Sequence, residues 1–142
     1  MSPAPHLGTV LYTAKVRTVG GRDGGASYTE DGRFDVKHSV PGTPGTGTNP
    51  EQLFAIGWSA CFEGAMGIAA RRMRITLPAD LAIDAEVDVC LVDHAELKRA
   101  RLNISAPGLE RDVARAVIDA ADLICPYSKA THGNIDVSIN LL

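Results

Sequence analysis

The stretch NPEQLFAIGWSACFEGAMGIAARRM, residues 49–73, decides the fold because it predicts one long helix in the middle of the chain. Asn49 is a good amino-terminal cap, and Pro50 fits the first helical position, where its missing N–H is not needed. Three glycines follow in the helix interior, at Gly57, Gly64 and Gly67. Each costs about 1 kcal/mol relative to alanine, a cost that close approach of neighbouring backbone usually offsets. We therefore expect this helix to be deeply buried.

Cys61 lies within this helix, on one stripe with Gly57 and Gly64. One interpretation is a small packing residue, since free cysteine is among the most buried residue types. The other is a nucleophile, which must be a thiolate, whereas an unperturbed thiol is only a few per cent ionised at neutral pH. Because Cys61 lies about three turns from the helix start, the helix dipole helps little. A nearby cation would have to lower the pKa of a reactive Cys61.

Arg22 is the candidate for that cation. It stands in VGGRDGGAS, residues 19–27, where glycines permit backbone geometry that would let the loop lean over a pocket. Lowering a thiol pKa by two units takes about 2.7 kcal/mol, which one partly desolvated arginine can supply. A solvated arginine on a glycine-rich hairpin loop is the simpler interpretation, and both stay open from the residues alone.

Two further cysteines have different settings. Cys125 begins CPYSKATHGN, directly after an amphipathic helix predicted over residues 109–124. A bond between Cys61 and Cys125 would require their Cα atoms to come within about 7 Å. Cys90 lies in an alternating strand and is predicted to be structural. The sequence has no Cys-x-x-Cys, and its four histidines show no metal-ligand spacing with the cysteines, so we expect no metal.

Apolar residues alternate with polar ones in five other segments, which predicts strands. These segments are residues 9–20, 27–40 as a hairpin turning at Asp31-Gly32, 81–93, 97–105 and 134–142. Strands in two groups, each followed by a helix, predict an α+β fold with antiparallel sheets packed on helices. The loop over residues 40–50 is rich in Gly, Pro and Thr and is interpreted as an ordered approach to a site. We expect a single domain over residues 1–142.

Composition excludes several classes of function. The chain has 142 residues, 45% of them hydrophobic and 22% charged, with a formal net charge of −3 and no long basic run. Nucleic-acid binding is set aside, because it needs a concentrated cationic face. No apolar run is expected to span a membrane, since Arg71, Arg72 and Arg74 interrupt the longest one. The first residues do not resemble a secretory signal, so a cytoplasmic location is expected.

Three pieces together resemble the organic hydroperoxide resistance (Ohr) family, within the wider OsmC/Ohr group. They are GGRDG at residues 20–24, GTNPEQLFAIGWSACF at 47–62 and CPYSKATHGNIDV at 125–137. The last two are long and specific, and CPYSKATHGN is typical of the Ohr branch. One departure is Trp58, where a smaller aromatic such as tyrosine is expected; this change can alter the shape of a pocket.

The resemblance implies a thiol peroxidase that needs no metal or bound cofactor, built as an intertwined homodimer with sheets wrapped around central helices. It implies that Cys61 is the peroxidatic cysteine and Cys125 the resolving one. It implies that Arg22 stabilises the thiolate and that Glu51 holds Arg22. The expected substrate is an alkyl or fatty-acyl hydroperoxide, and the expected reductant is a lipoyl group on a partner protein. Apolar side chains suited to such a tail are Leu53, Phe54, Trp58 and Phe62.

The helix itself places a constraint on this site. Glu51 precedes Cys61 by ten residues, about 15 Å along an unbroken helix, so the two side chains of one chain do not meet. We therefore expect a site shared across the dimer, with Arg22 and Glu51 reaching the cysteines from the other subunit. Two other functions remain open: a non-catalytic redox sensor or ligand-binding module on the same fold, and a structural protein with inert buried thiols.

Overall fold

The computed structural model describes residues 8–142, which divide into two compact units. Unit 1 ends at Asn49 and unit 2 is Pro50–Leu142. Each unit is described by itself.

Unit 1 is a three-stranded antiparallel sheet. Its strands are β1 (Val16–Val19), β2 (Ala26–Thr29) and β3 (Asp35–Lys37), in that spatial order. The β2–β3 hairpin confirms the predicted turn, since Gly32 has the positive φ of 73° that such a turn requires. The predicted first strand is much shorter than expected, because residues 9–15 lie outside it. Their side chains Val10, Leu11 and Tyr12 are exposed.

The loop after β3 is ordered, as expected. Ser39 donates its backbone N–H to Thr48 O, at 2.9 Å, and Thr48 donates to Lys37 O, at 2.8 Å. The Ser39 hydroxyl oxygen accepts the backbone N–H of Gly47, at 2.8 Å. These bonds hold both ends of residues 40–47 together and fix the segment that leads into the long helix.

Unit 2 contains that helix, α1 (Pro50–Met73), which begins at the predicted proline. The β4–β5 hairpin follows (Ala82–Val92 and Ala95–Ser105), then α2 (Arg111–Ile124), α3 (Pro126–Thr131) and β6 (Asp136–Leu141). One pair departs from the antiparallel expectation, because β6 runs parallel to β5. The chain between them crosses over through α2 and α3, and such a crossover returns a strand in the same direction.

The core of unit 2 lies between its sheet and one face of α1. Its largest fully buried side chains are Trp58, Phe62, Met66, Leu102, Ile104, Ile118, Val117 and Cys125. Only one face of α1 is buried, so the expectation of a deeply buried helix is wrong for a single chain: Ile56, on the other face, is 62% exposed. A Cβ built at Gly64 would meet no atom of residues 8–142 within 4 Å. That side of the helix is open to a further packing partner.

The outer face of the unit 2 sheet is a ladder of opposite charges. Arg99 and Arg101 both reach the Asp88 carboxylate, at 2.7 Å, and Arg101 also pairs with Glu86 at 2.8 Å. These cross-strand pairs lie on the face turned away from α1 and add register specificity to the β4–β5 hairpin.

Helix α1 is long and apolar enough to cross a membrane, judged by length and composition alone, and it is the one such helix within residues 8–142. Arg71 and Arg72, which interrupt the apolar run in the sequence, lie in its last turn. In this structure α1 is instead a core helix, because one face packs on the sheet and on α2.

Candidate active site

Cys61 projects from the middle of α1 and is partly buried. Because α1 is continuous from Pro50 to Met73, the thiol lies well inside the helix, and its own backbone N–H is used by the helix. The side chain packs at the margin of the core of unit 2. Cys61 is therefore neither a solvent-facing residue nor a fully enclosed one.

Cys125 occupies the junction between α2 and α3. Its backbone is extended, with φ −62° and ψ 120°, so it ends one helix and caps the next. Pro126 enforces this break, because a proline cannot continue α2 yet suits the first position of α3. The Cys125 N–H donates to Ala121 O at 2.8 Å, and the residue is fully buried. This junction turns the thiol toward α1.

The two thiols meet. Cys125 Sγ lies 3.6 Å from Cys61 Sγ, with the Cys125 S–H donating, and both cysteines are free. A disulfide requires about 2.05 Å between the sulfurs, so a shift of about 1.5 Å would join them. Residues 64 apart in sequence are thus within reach of one bond.

The surroundings of Cys61 affect its ionisation. Burial raises the pKa of the Cys61 thiol, and the neighbouring Cys125 raises that pKa further, because two thiolates this close would repel each other. The backbone N–H of Tyr127 acts in the opposite direction and lowers the pKa by donating to the sulfur. The net shift is upward, opposite to the lowered pKa that a reactive thiolate needs. The unit 2 groups around Cys61 therefore leave a reactive thiolate in need of further stabilisation.

Tyr127 lies against α1 at a glycine. A Cβ built at Gly57 would clash with the Tyr127 hydroxyl, so only glycine lets the ring lie there. This is the close approach that the glycines of α1 led us to expect, although the approaching group is a side chain and not backbone. The packing keeps the Tyr127 backbone N–H beside Cys61.

The aromatic residues form a second contact between α1 and α3. Trp58 is 1% exposed and donates its Nε1–H to Ser128 Oγ at 3.3 Å. Phe54 packs edge-on against both Trp58 and Tyr127, with ring centroids 5.7 Å and 6.2 Å apart. Of the predicted tail-binding side chains, Trp58 and Phe62 are thus core residues. Trp58 also borders a cavity of about 300 Å³ lined by α2, α3 and β6.

Glu51 begins α1 and has a partner that the sequence analysis missed. Its carboxylate is buried and pairs with Lys98 of β5, with 3.1 Å between Nζ and Oε1. The signal was present in the sequence: Lys98 occupies the same alternating row as Leu102 and Ile104, whose side chains face the core. A lysine in an otherwise apolar row indicates a buried acidic partner. Across ten residues of continuous helix, Glu51 lies about 15 Å from Cys61.

Arg22 belongs to unit 1, in the turn that joins β1 to β2. Gly20, Gly21 and Gly24 around it all have positive φ, at 81°, 70° and 83°. These angles confirm that glycine is needed to form this tight turn. The guanidinium is carried on an exposed loop tip.

Cys90 and the histidines stand apart from the thiol pair. Cys90 pairs with Leu97 in the β4–β5 register, on the outer face of the sheet. His38 of unit 1 is buried and bonds Ser27 Oγ through Nε2 at 2.6 Å. Within residues 8–142, no cluster of three or more His, Cys, Asp or Glu side chains could hold a metal ion.

The fold and the site together define a small α+β protein with a helix-borne thiol facing a second thiol at a helix junction. Residues 42–140 match the family model described as OsmC-like protein. An organic hydroperoxide resistance protein of Xanthomonas axonopodis pv. citri is 42% identical over 136 residues, covering 93% of this chain and 95% of that protein. This chain therefore belongs to the OsmC-like family, in its organic hydroperoxide resistance branch.

Solved structures agree with this assignment. OhrB of Bacillus subtilis, an organic hydroperoxide resistance protein, superimposes with a TM-score of 0.88 at 38% identity, covering 94% of this chain and all of that one. An organic hydroperoxide resistance protein from Legionella pneumophila gives a TM-score of 0.86 at 35% identity, over 94% and 98% of the two chains. The predicted fold and family are confirmed.

Proposed function

We propose that this protein is a thiol peroxidase that reduces organic hydroperoxides to alcohols, with Cys61 as the peroxidatic and Cys125 as the resolving cysteine. The observation that carries the proposal is the 3.6 Å separation of the two free sulfurs. The names of the relatives, which refer to organic hydroperoxide resistance, support the same class of substrate.

The reaction uses the pair in sequence. The Cys61 thiolate attacks the terminal peroxide oxygen, the O–O bond breaks, and the departing alkoxide takes a proton to leave as an alcohol. Cys61 is then a sulfenic acid. The Cys125 sulfur attacks Cys61 Sγ, the S–O bond breaks, and the hydroxyl leaves with a proton as water. The product is a Cys61–Cys125 disulfide, which protects Cys61 from further oxidation.

An external dithiol completes the cycle. Two thiol–disulfide exchanges return both cysteines to thiols and leave the dithiol as a cyclic disulfide. We propose a lipoyl group on a partner protein for this role, with no resident cofactor or metal. We place the reaction in the cytoplasm.

A homodimer would supply the further stabilisation that the Cys61 thiolate needs. Burial raises the pKa of Cys61, so a cation is needed beside it. We propose that Arg22 of the partner subunit provides this charge and that Glu51 limits the positions Arg22 adopts. The open face of α1 around Ile56 and Gly64 and the exposed segment 9–15 support a second copy as the packing partner.

Mass spectrometry after one equivalent of an organic hydroperoxide tests the proposal. We expect the wild-type protein to gain a Cys61–Cys125 bond and to release one equivalent of alcohol. We expect the Cys125→Ser variant to release the same alcohol but to carry a sulfenic acid on Cys61. A wild-type protein whose thiols both stay reduced would contradict the peroxidase function. Oxidation without continued turnover in excess dithiol would favour a redox sensor instead.

A further inference from the structure

The start of α1 contains an ion pair between a buried carboxylate and a partly exposed lysine, which the proposed chemistry does not yet use. Glu51 is 9% exposed as a residue, and its side chain is 11% exposed. Lys98 Nζ donates to Glu51 Oε1 at 3.1 Å, and the Lys98 side chain is 36% exposed. The pair joins the first turn of α1 to the β4–β5 hairpin near its turn.

The register of β5 explains why Lys98 reaches Glu51. Lys98 pairs with Val89 of β4, and the next inward positions on β5 are Ala100 and Leu102, both buried against α1. Side chains two residues apart on a strand share a face, so Lys98 lies on the helix side of the sheet. The adjacent Arg99 lies on the opposite face and pairs with Asp88.

Pairing has consequences for a buried carboxylate. Removing a carboxylate from water costs several kcal/mol unless a cation and hydrogen bonds replace the lost hydration. Removing one partner of such a pair therefore lowers stability by more than the pair itself contributes, because a buried charge is left unpaired. An ammonium at 3.1 Å donates to one oxygen of the Glu51 carboxylate and restricts its rotamer.

We propose that Lys98 is a positioning residue for the peroxidase reaction. Its ammonium holds the Glu51 carboxylate in one place, so that Glu51 can in turn hold Arg22 beside Cys61. Lys98 touches neither the thiols nor the substrate and acts only through Glu51. This inference rests on the proposed function.

The test compares three substitutions in the full-length, reduced protein. Lys98→Met removes the charge and keeps most of the apolar stem, Lys98→Arg keeps the charge, and Arg99→Met is the control on the same strand. Two quantities are measured: the second-order rate constant for Cys61 oxidation by cumene hydroperoxide, and the pH midpoint of Cys61 alkylation by iodoacetamide. Thermal unfolding establishes that each variant is folded, and Lys98→Gln replaces Lys98→Met if the latter does not fold.

We expect Lys98→Met to slow Cys61 oxidation about tenfold, equivalent to about 1.4 kcal/mol of transition-state stabilisation. The alkylation midpoint should move to higher pH, because a less restricted Arg22 stabilises the thiolate less. Lys98→Arg should restore the rate to within about threefold, and Arg99→Met should stay within about twofold of wild type. In a Glu51→Gln background, Lys98→Met should cause no further loss, because the group through which it acts is already gone.

Two results would overturn the role of Lys98 while leaving the peroxidase function intact. In the first, wild type reduces cumene hydroperoxide, and a folded Lys98→Met variant has the same Cys61 oxidation rate and the same alkylation midpoint as Arg99→Met. The other is full additivity of the Lys98→Met and Glu51→Gln effects. A wild-type protein that does not reduce cumene hydroperoxide or any other organic hydroperoxide would overturn the proposed function itself and the role of Lys98 with it.

Discussion

Cys61 and Cys125, 64 residues apart in sequence, hold their sulfur atoms 3.6 Å apart. One thiol comes from the interior of a long helix and the other from the break between two helices. The two sulfurs need to approach by only about 1.5 Å to form a bond. The thiol at the helix junction is the proposed resolving residue, and the thiol inside the helix is the proposed point of attack.

The separation of the thiols predicts how the protein withstands excess peroxide. In the Cys125→Ser variant, the Cys61 sulfenic acid has no partner and should proceed to sulfinic and sulfonic acids. Mass spectrometry after ten equivalents of cumene hydroperoxide should detect these species in the variant and a disulfide in wild type. Cys90→Ser is the control and should behave as wild type, because Cys90 lies on the outer face of the sheet. Equal over-oxidation of wild type and Cys125→Ser would exclude Cys125 as the resolving residue.

Arg22 should control the pH at which Cys61 becomes reactive. Burial and Cys125 raise the pKa of the Cys61 thiol above its ordinary value of 9.0, so without a cation the thiolate forms only in alkaline solution. Arg22→Met should therefore slow oxidation about 100-fold at pH 7, the effect of a two-unit rise in pKa. Raising the pH restores the thiolate, so the variant and wild type should converge at high pH. Stopped-flow oxidation rates measured from pH 7 to high pH give both the loss of rate at pH 7 and the convergence of the variant with wild type.

Arg33→Met provides the matched control for that measurement. Arg33 lies on the neighbouring hairpin turn of unit 1 and pairs with Asp31 on the surface, at 3.6 Å. Its loss removes the same charge from the same sheet and should leave the pH profile unchanged. Identical profiles for Arg22→Met and wild type would contradict the role given to Arg22.

Trp58 should contribute to stability more than to chemistry. Trp58→Phe removes the Nε1–H donor to Ser128 and leaves a small void in the core, for a combined loss of about 1–3 kcal/mol in the free energy of unfolding. Denaturant unfolding measures this loss. The rate of Cys61 oxidation in the folded variant should change by less than about threefold, since Trp58 is a core residue whose polar group bonds Ser128. A large loss of rate at unchanged stability would assign Trp58 to the substrate site.

Much of the fold could be predicted because local signals and tertiary packing agree. The proline start of α1, the Asp31-Gly32 turn and the alternation along β4 and β5 each have a direct local cause, and the structure confirms them. The first strand was overestimated because alternation over residues 9–15 indicates a strand only when a neighbour is available to pair with it. The parallel β5–β6 pair depends on the path of the crossover, which no local pattern records.

The site was less accessible from sequence than the fold. Spacing alone left Cys61 open as either packing residue or nucleophile, and the family resemblance supplied its pairing with Cys125. The Glu51–Lys98 pair joins residues 47 apart, so only the tertiary structure brings it into view. The pKa of Cys61 also depends on its surroundings, because burial and Cys125 raise it and the backbone N–H of Tyr127 lowers it. The sequence expectation of a lowered value referred to a cation, Arg22, which we propose comes from the partner subunit.

A site shared between subunits predicts complementation between two inactive variants. Arg22→Met lacks the proposed cation and Cys61→Ser lacks the nucleophile, so homodimers of either should be nearly inactive. A mixed dimer retains one intact site if Arg22 of one subunit serves Cys61 of the other. Random assembly of equal amounts makes half of the dimers mixed, each with one working site of two, so about a quarter of wild-type activity should return.

The mixing experiment also separates a shared site from one built within a single chain. If Arg22 and Cys61 of the same subunit form the site, every site in a mixed dimer lacks one group and no activity returns. In the experiment, the two variants are unfolded and refolded together. A peroxidase assay with a dihydrolipoyl reductant then measures how much activity returns. Refolding each variant separately before mixing is the control, because intertwined subunits should exchange slowly. If peroxidase activity returns only in the co-refolded sample, subunits of the two variants have exchanged into mixed dimers. The site then combines groups from two chains.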